Sequence, residues 1–147
     1  MRRLLPPQLL VLSLMTMLAL HWLAPVVEFV PWPWRAGGAL LIAGGLGMAV
    51  RAKRVFQGLG ANVPTFNDPT HLVEVGLFAH SRNPMYLGFA VALLGAATLL
   101  GSASAFAVML TNTVVTDVWY IRYEEQAMRA SFGEAYADYC RRVRRWL

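Results

Sequence analysis

The stretch from Asn83 to Thr116, NPMYLGFAVALLGAATLLGSASAFAVMLTNTVVT, decides the fold. It carries no charged residue. At 1.5 Å of rise per residue it is too long for one crossing of a ~30 Å hydrocarbon layer. Gly101-Ser102-Ala103-Ser104 interrupts it with turn-forming residues. The spacing therefore predicts a tight helical hairpin with arms near 84–100 and 104–126. Upstream, a second apolar run lies between Arg35 and Arg51 and is rich in glycine: Gly37, Gly38, Gly44, Gly45 and Gly47. It is short for a span, but its smooth face lets another helix approach closely, and the flanking arginines can snorkel to extend its reach. Further upstream, Leu4 to Val27 is free of Asp, Glu, Lys and Arg and long enough to span. Arg2-Arg3 could open a cleaved signal peptide, but Leu20-His21-Trp22-Leu23-Ala24-Pro25 offers no small-x-small cleavage site, which favours a retained helix.

The fold class expected is thus all-α and integral to a membrane, as a single domain over 1–147, with spans near 5–27, 35–51, 84–100 and 104–126. Composition agrees. Of 147 residues, 57% are hydrophobic and 14% charged, against roughly 45–50% and ~25% in soluble domains. Such apolar content excludes disorder, and one cysteine, Cys140, excludes a disulfide scaffold or zinc ribbon. The net charge of +5 does not point to nucleic acid. The basic residues flank apolar runs instead of covering a soluble face: Arg2-Arg3, then Arg51, Lys53 and Arg54, then Arg141, Arg142, Arg144 and Arg145. Four spans put both termini and all three clusters on one side, the cytoplasmic side of what is expected to be a bacterial inner membrane. Trp22, Trp32 and Trp34 then fit an aromatic belt at the far interface.

Two segments remain. Residues 52–83 form a long cytoplasmic connection, too apolar for a solvated linker with Val63, Phe66, Leu72, Val73, Val75, Leu77 and Phe78, and expected to fold back on the membrane face. Gly133 is placed to end a helix. Residues 134–147 put Tyr136, Tyr139, Cys140, Val143 and Leu147 on one stripe with arginines opposite, as in an interfacial amphipathic helix.

Polar residues at particular depths raise the chain above a plain anchor. Asp117 falls in the cytoplasmic half of the fourth span. An intramembrane carboxylate is either functional or hydrogen-bonded to a neighbouring helix, and both readings stay open. Glu125 has Arg122 at i−3 and Arg129 at i+4, so its own helix can neutralise it. Glu124 has no cation at helical spacing and shares a face with Asp117 and Tyr120, which makes it available to a cationic ligand. Asn83 suits an N-cap and Pro84 the first helical turn. That helix start, beside Arg82, is also a place for an anion such as a carboxylate.

The run Leu72-Val73-x-x-Gly76-x-Phe78-x-x-Ser81-Arg82-Asn83-Pro84-Met85-Tyr86-Leu87-Gly88 resembles the isoprenylcysteine carboxyl methyltransferase family of membrane methyltransferases. So does the later block: Arg122-Tyr123-Glu124-Glu125, Phe132-Gly133-x-x-Tyr136-x-x-Tyr139, and Arg142-Val143-x-Arg145-Trp146-Leu147. The two blocks stand in the family's order, one hairpin apart, within residues 62–147. The resemblance implies an S-adenosylmethionine-dependent methyltransferase. Its cofactor would contact Thr70, His71, Leu72, Val73, Phe78, Asn83, Pro84, Met85, Tyr86 and Glu124. Eukaryotic members read Arg-His-Pro where this chain has Arg82-Asn83-Pro84. Asparagine does not titrate near neutrality, so no acid–base role passes to it. The substrate-holding arginine of those members falls at Tyr120, with Arg122 as a substitute.

The residues fit that cofactor on chemical grounds as well. Glu124 can take its ammonium, Arg82 and the Pro84 helix start its carboxylate, and Tyr86 or Phe78 its sulfonium by cation–π attraction. Methyl transfer is an in-line displacement in which proximity and orientation supply most of the catalysis. A carboxylate acceptor needs no base, whereas an amine or thiol does, and Asp117 is the nearest candidate. The acceptor is expected to be lipophilic: a lipid, a prenyl compound or a small apolar acid. Its polar head is assigned to Arg122 and its path to an opening between helices at the small residues of the second span. Three rivals stand beside this reading: a membrane reductase using NADPH, a non-enzymatic membrane subunit and a small transporter. His21, His71 and His80 have no partners at metal-ligand spacing, and no phosphate loop is present.

Overall fold

Pro84 starts one arm of the expected hairpin and Gly101 ends it, the glycine adopting the left-handed conformation (φ 72°) that closes a helix. The computed structural model of the protein describes residues 4–24, 26–60 and 69–147. Among these, the helices are α1 (Pro6–Leu23), α2 (Gly37–Gly58), α3 (Pro84–Leu100), α4 (Ala103–Val115) and α5 (Arg122–Arg142). A π-helical turn, Thr116–Ile121, joins α4 to α5 without a break. No strand forms among the described residues beyond an isolated bridge between Glu28 and Ser102. The chain is all-α, as expected.

Close backbone approach holds α2 against α3. A Cβ added at Gly88 would lie 2.5 Å from the Gly45 carbonyl oxygen, and one at Gly95 would lie 2.5 Å from that of Gly38. Additions at Gly38 and Gly45 would meet the facing carbonyls more closely still. The two helices therefore run antiparallel with glycines at seven-residue intervals in the seam, the small-residue packing that lets backbones touch. On the other side α1 meets α4, where the Asn112 amide donates to Ser13 Oγ (2.8 Å) across the interface. Met17, Leu93, Ala97 and Ala105 fill the space between the pairs.

This antiparallel order gathers the chain at two ends. At one, the Phe29 amide donates to the Gly101 carbonyl (3.0 Å) and the Ala103 amide to that of Val27 (3.1 Å). At the other, the Tyr120 hydroxyl donates to the Leu4 carbonyl (2.8 Å), tying the start of α1 to the π turn. The clusters Arg51–Arg54 and Arg141–Arg145 lie at this second end; Arg2 and Arg3 fall outside the described residues. Trp22, Trp32 and Trp34 are exposed toward the first end.

Several boundaries differ from the sequence expectation. The second helix does not stop near residue 51 but runs to Gly58, because Ala52 and Phe56 continue its buried face into a cluster with Val73 and Phe78. Phe78 and Val73 fold inward as anticipated, whereas Val75 is exposed; Val63 and Phe66 lie outside the described residues. Gly133 ends one helical piece as expected: its non-helical backbone (φ 51°, ψ −119°) divides Arg122–Arg142 into two helical pieces that meet at a kink. The helix closes at Arg142, and Val143 is extended. The expected stripe holds for Tyr136, Tyr139 and Val143 but not for Leu147, which is exposed beyond the helix end. The expected opening along the small residues of the second span is sealed at Gly38 and Gly45 by α3; Gly37, Gly44 and Gly47 face open space.

Among the described helices α1 is long and apolar enough to cross a membrane, while α3 is apolar but shorter at 17 residues. The outer surface is nonetheless apolar along the bundle: Val11, Leu12, Met15 and Leu18 on α1, Leu40, Leu46 and Val50 on α2, and Leu110 and Val114 on α4 are all exposed.

Candidate functional site

The second end of the bundle holds a cleft between the start of α3 and the first turns of α5. Pro84, Met85 and Tyr86 border it from α3, Glu124, Glu125 and Met128 from one face of α5, and Tyr136 and Tyr139 from beyond the Gly133 bend. Phe56, at the end of α2, and Val73 and Phe78 close the apolar side. Counted out to its open mouth, the cleft holds about 560 Å³. It is a narrow slot lined mainly by apolar and aromatic groups with a few polar ones, the usual make-up of a small-molecule site.

The Tyr86 hydroxyl donates to Glu124 Oε1 at 2.6 Å, linking residues 38 positions apart in sequence. Helical spacing gave Glu124 no cation; in the fold the Tyr86 phenol reaches it from another helix. Glu125 departs from expectation more sharply. It does not pair with Arg122 and Arg129. It is buried and takes Arg82 Nη2 (2.8 Å), Arg145 Nη2 (2.6 Å) and Arg145 Nε (3.2 Å) instead. A carboxylate inside the protein needs such charged partners to offset its lost hydration.

Arg82 is held on all sides. Its Nη1 donates to the carbonyls of Val143 (2.9 Å) and Cys140 (3.2 Å), and its backbone amide to that of Arg144 (3.0 Å). Its Nε is buried without a hydrogen-bond partner among the described residues. Asn83 does not cap α3 with its side chain, contrary to expectation. Its Nδ2 donates to the Arg145 carbonyl (3.1 Å), and its own amide is taken by Ser81 Oγ (3.1 Å). No side chain caps the start of α3, so the partial positive charge of that helix end faces the cleft region uncapped.

The tyrosines fix the roof. The Tyr139 hydroxyl donates to the Phe78 carbonyl at 2.6 Å. Burial raises the pKa of both Tyr136 and Tyr139 well above the usual phenol value, so each stays a neutral donor.

The expected site residues thus separate into two groups. Val73, Phe78, Arg82, Asn83, Pro84, Met85, Tyr86 and Glu124 come together around the cleft. Thr70, His71 and Leu72 do not line it; Thr70 and His71 are exposed and bond to each other (3.0 Å). Asp117, Tyr120 and Arg122 do not line it either. Asp117 accepts from Arg145 Nη1 (3.2 Å) and Trp146 Nε1 (2.9 Å), Tyr120 is buried against the start of the chain, and Arg122 is exposed. The sequence reading missed Phe56, Glu125 and Met128 as lining residues. Tyr136 and Tyr139 stood in the quoted C-terminal block and on its buried stripe, a signal that could have placed them here.

An all-α bundle with an apolar flank and an acid-bearing cleft at one end defines a class of helical protein whose chemistry lies at the bundle's end. Residues 34–135, from the turn before α2 to the Gly133 bend and just past it, match the family model described as phospholipid methyltransferase. The chain belongs to this family, in keeping with the resemblance carried by its two sequence blocks. Membership implies methyl transfer to a membrane-associated substrate, and family members generally use S-adenosylmethionine. No curated protein and no solved structure matches the chain.

Proposed function

We propose that the chain is an integral membrane methyltransferase that binds S-adenosylmethionine in the cleft and methylates a lipophilic acceptor (a carboxylate, lipid or prenyl compound) at the cytoplasmic face. The observation that carries this reading is the meeting of Glu124 and Tyr86 inside a cleft that also gathers Arg82, Asn83, Pro84 and Met85. A carboxylate, an uncapped helix start and aromatic faces are the groups that suit an ammonium, a carboxylate and a sulfonium respectively. The bound cofactor supplies an electrophilic methyl group.

The residues divide the remaining work. Glu124 holds the ammonium in place of the Tyr86 hydroxyl, which then turns to share or yield the carboxylate. The α3 start receives the cofactor's carboxylate, with Arg82 Nε as the donor left over in that wall. Phe78, Tyr86 and Met85 exclude water and set the in-line geometry. Arg122, exposed where the apolar flank ends, holds the acceptor's polar head, and Asp117 and Tyr120 brace the helix that presents it.

The same reading puts α1, α2, α3 and the continuous α4–π segment across a bacterial inner membrane, termini inward. The exposed apolar flank, the exposed tryptophans at one end and the basic clusters at the other support it. Segments 69–83 and 134–147 then cover the cofactor from the water side. The family assignment favours methyl transfer over the reductase and the non-enzymatic subunit.

Purified protein in lipid nanodiscs, given methyl-labelled S-adenosylmethionine and pools of apolar acids, prenyl compounds and phospholipids, should move label into an organic-soluble product. Label that stays in water with every pool, under conditions where the protein remains folded, contradicts the proposal.

A further inference from the structure

Residues 143–147 lie outside α5 and outside the family match, yet Arg145 and Trp146 make polar contacts with residues 81, 83, 117 and 125. Arg145 is the centre. Its Nη1 donates to both oxygens of Asp117 (3.2 and 3.3 Å) in the π turn, and its Nη2 and Nε donate to Glu125 (2.6 and 3.2 Å) in the first turn of α5. Its carbonyl accepts from Asn83 Nδ2 (3.1 Å) and Ser81 Oγ (3.4 Å) at the entrance to α3. Trp146 adds an indole bond to Asp117 (2.9 Å) and packs on the Tyr86, Tyr120 and Ile121 cluster.

We propose that Arg145 is a positioning residue for the cofactor: with Trp146 it forms a C-terminal strap that sets the rotation of Glu124 and keeps the start of α3 uncapped. The proposal rests on the reading of the cleft as the S-adenosylmethionine site. Glu124 immediately precedes Glu125, and neighbours on a helix differ by about 100° in direction. Clamping Glu125 between Arg145 and Arg82 therefore fixes where Glu124 points. Asp117 lies in the π turn, an uncommon, wider turn found frequently at functional sites, and Arg145 holds that turn to the first turn of α5. The Arg145 carbonyl draws the Asn83 amide away from α3, so the residue best suited to cap that helix does not cap it. A planar guanidinium can face two carboxylates at once, whereas a lysine ammonium is a single point charge. The hydrogen bonds that Arg145 donates to the Glu125 carboxylate, and the nearby Asp117 charge, raise its pKa further, so the strap stays charged.

The test compares Arg145→Gln, Arg145→Lys, Trp146→Phe and, as a control with the same charge change in the same strap, Arg144→Gln, whose exposed side chain makes no ion pair among the described residues. Cofactor Kd is read by calorimetry, and cofactor KM and kcat by methyl transfer with the cofactor varied at saturating acceptor. Arg145→Gln should raise cofactor Kd and KM about tenfold or more while kcat at saturation stays within about threefold, the pattern of lost binding without lost chemistry. Arg145→Lys should fall between, Trp146→Phe should show a smaller rise in the same direction, and Arg144→Gln should match wild type. Folded Arg145→Gln protein with wild-type cofactor Kd overturns the inference, as does an equal effect from Arg144→Gln. If Arg145→Gln does not fold, Trp146→Phe decides: an unchanged cofactor KM overturns the strap. Wild-type protein that fails to bind S-adenosylmethionine overturns the cleft reading as well, whereas wild-type binding with unaffected variants overturns the strap alone.

Discussion

At the end of the bundle formed by residues 26–36 and 101–104, the described charges are Glu28 and Arg35, and they pair with each other at the surface (2.5 Å). At the end formed by 69–86 and 116–147, Arg82, Asp117, Glu125 and Arg145 interlock across three parts of the chain, with Arg82 and Glu125 mostly out of solvent. The first end only has to reverse the chain, and backbone bonds to Gly101 and Val27 do most of that. The second has to hold side chains from α3 and α5 in one arrangement around a narrow slot. Buried ion pairs are a poor route to stability because desolvation offsets most of the attraction. Their concentration at one end is better understood as geometry set by charge, in the place where geometry matters to a reaction.

Three substitutions break or sharpen that contrast. The largest effect belongs to the seam that joins the two ends. Gly45→Leu places side-chain atoms on the Gly88 carbonyl and the Ala92 backbone, so its cost exceeds the ~1–3 kcal/mol of ordinary overpacking. Both ends should be lost together, with no monodisperse helical protein recovered by size exclusion and circular dichroism. Next, Glu125→Leu leaves Arg82 with no carboxylate partner and Arg145 with Asp117 alone. Removing one partner of a buried pair costs roughly 3–5 kcal/mol, so the melting temperature should fall by roughly 10 °C in detergent. A change as small as that of a surface pair would show the network to be ornamental. Smallest is Arg35→Gln at the other end. It removes an exposed pair and a bond to the Val30 carbonyl, and methyl transfer and cofactor affinity should both remain at wild-type levels.

Much of the bundle was legible in the sequence because an apolar run free of charge has few ways to fold. Asn83 to Thr116 announced a hairpin, and Gly101 closed it as its chemistry requires. Glycine enrichment announced a close helix contact, but not which glycines. Only the three-dimensional pairing separates Gly38 and Gly45, which meet α3, from Gly44 and Gly47, which do not. The site was legible where residues are neighbours in sequence, as in Arg82-Asn83-Pro84-Met85-Tyr86. It was illegible where partners come from distant segments. Glu125 has two arginines at helical spacing and uses neither, because a buried position selects Arg82 and Arg145, which lie 43 and 20 residues away. Glu124 was singled out for lacking a cation nearby, and no helical spacing could show that Tyr86 would meet it. The break at Gly133 was legible too, because glycine at positive φ ordinarily ends a helix; a second helical piece follows it and buries Tyr136 and Tyr139.

The central claim is that Glu124 in the cleft binds the ammonium of S-adenosylmethionine, and calorimetric titration of the cofactor into wild-type and Glu124→Gln protein in the same detergent tests it most directly. A charge-assisted hydrogen bond is worth roughly 1.5–3 kcal/mol, so affinity should fall about 10–150-fold. The melting temperature of each protein, read alongside, separates lost affinity from lost fold. Equal cofactor affinity in the two proteins, with wild type binding, would contradict the claim.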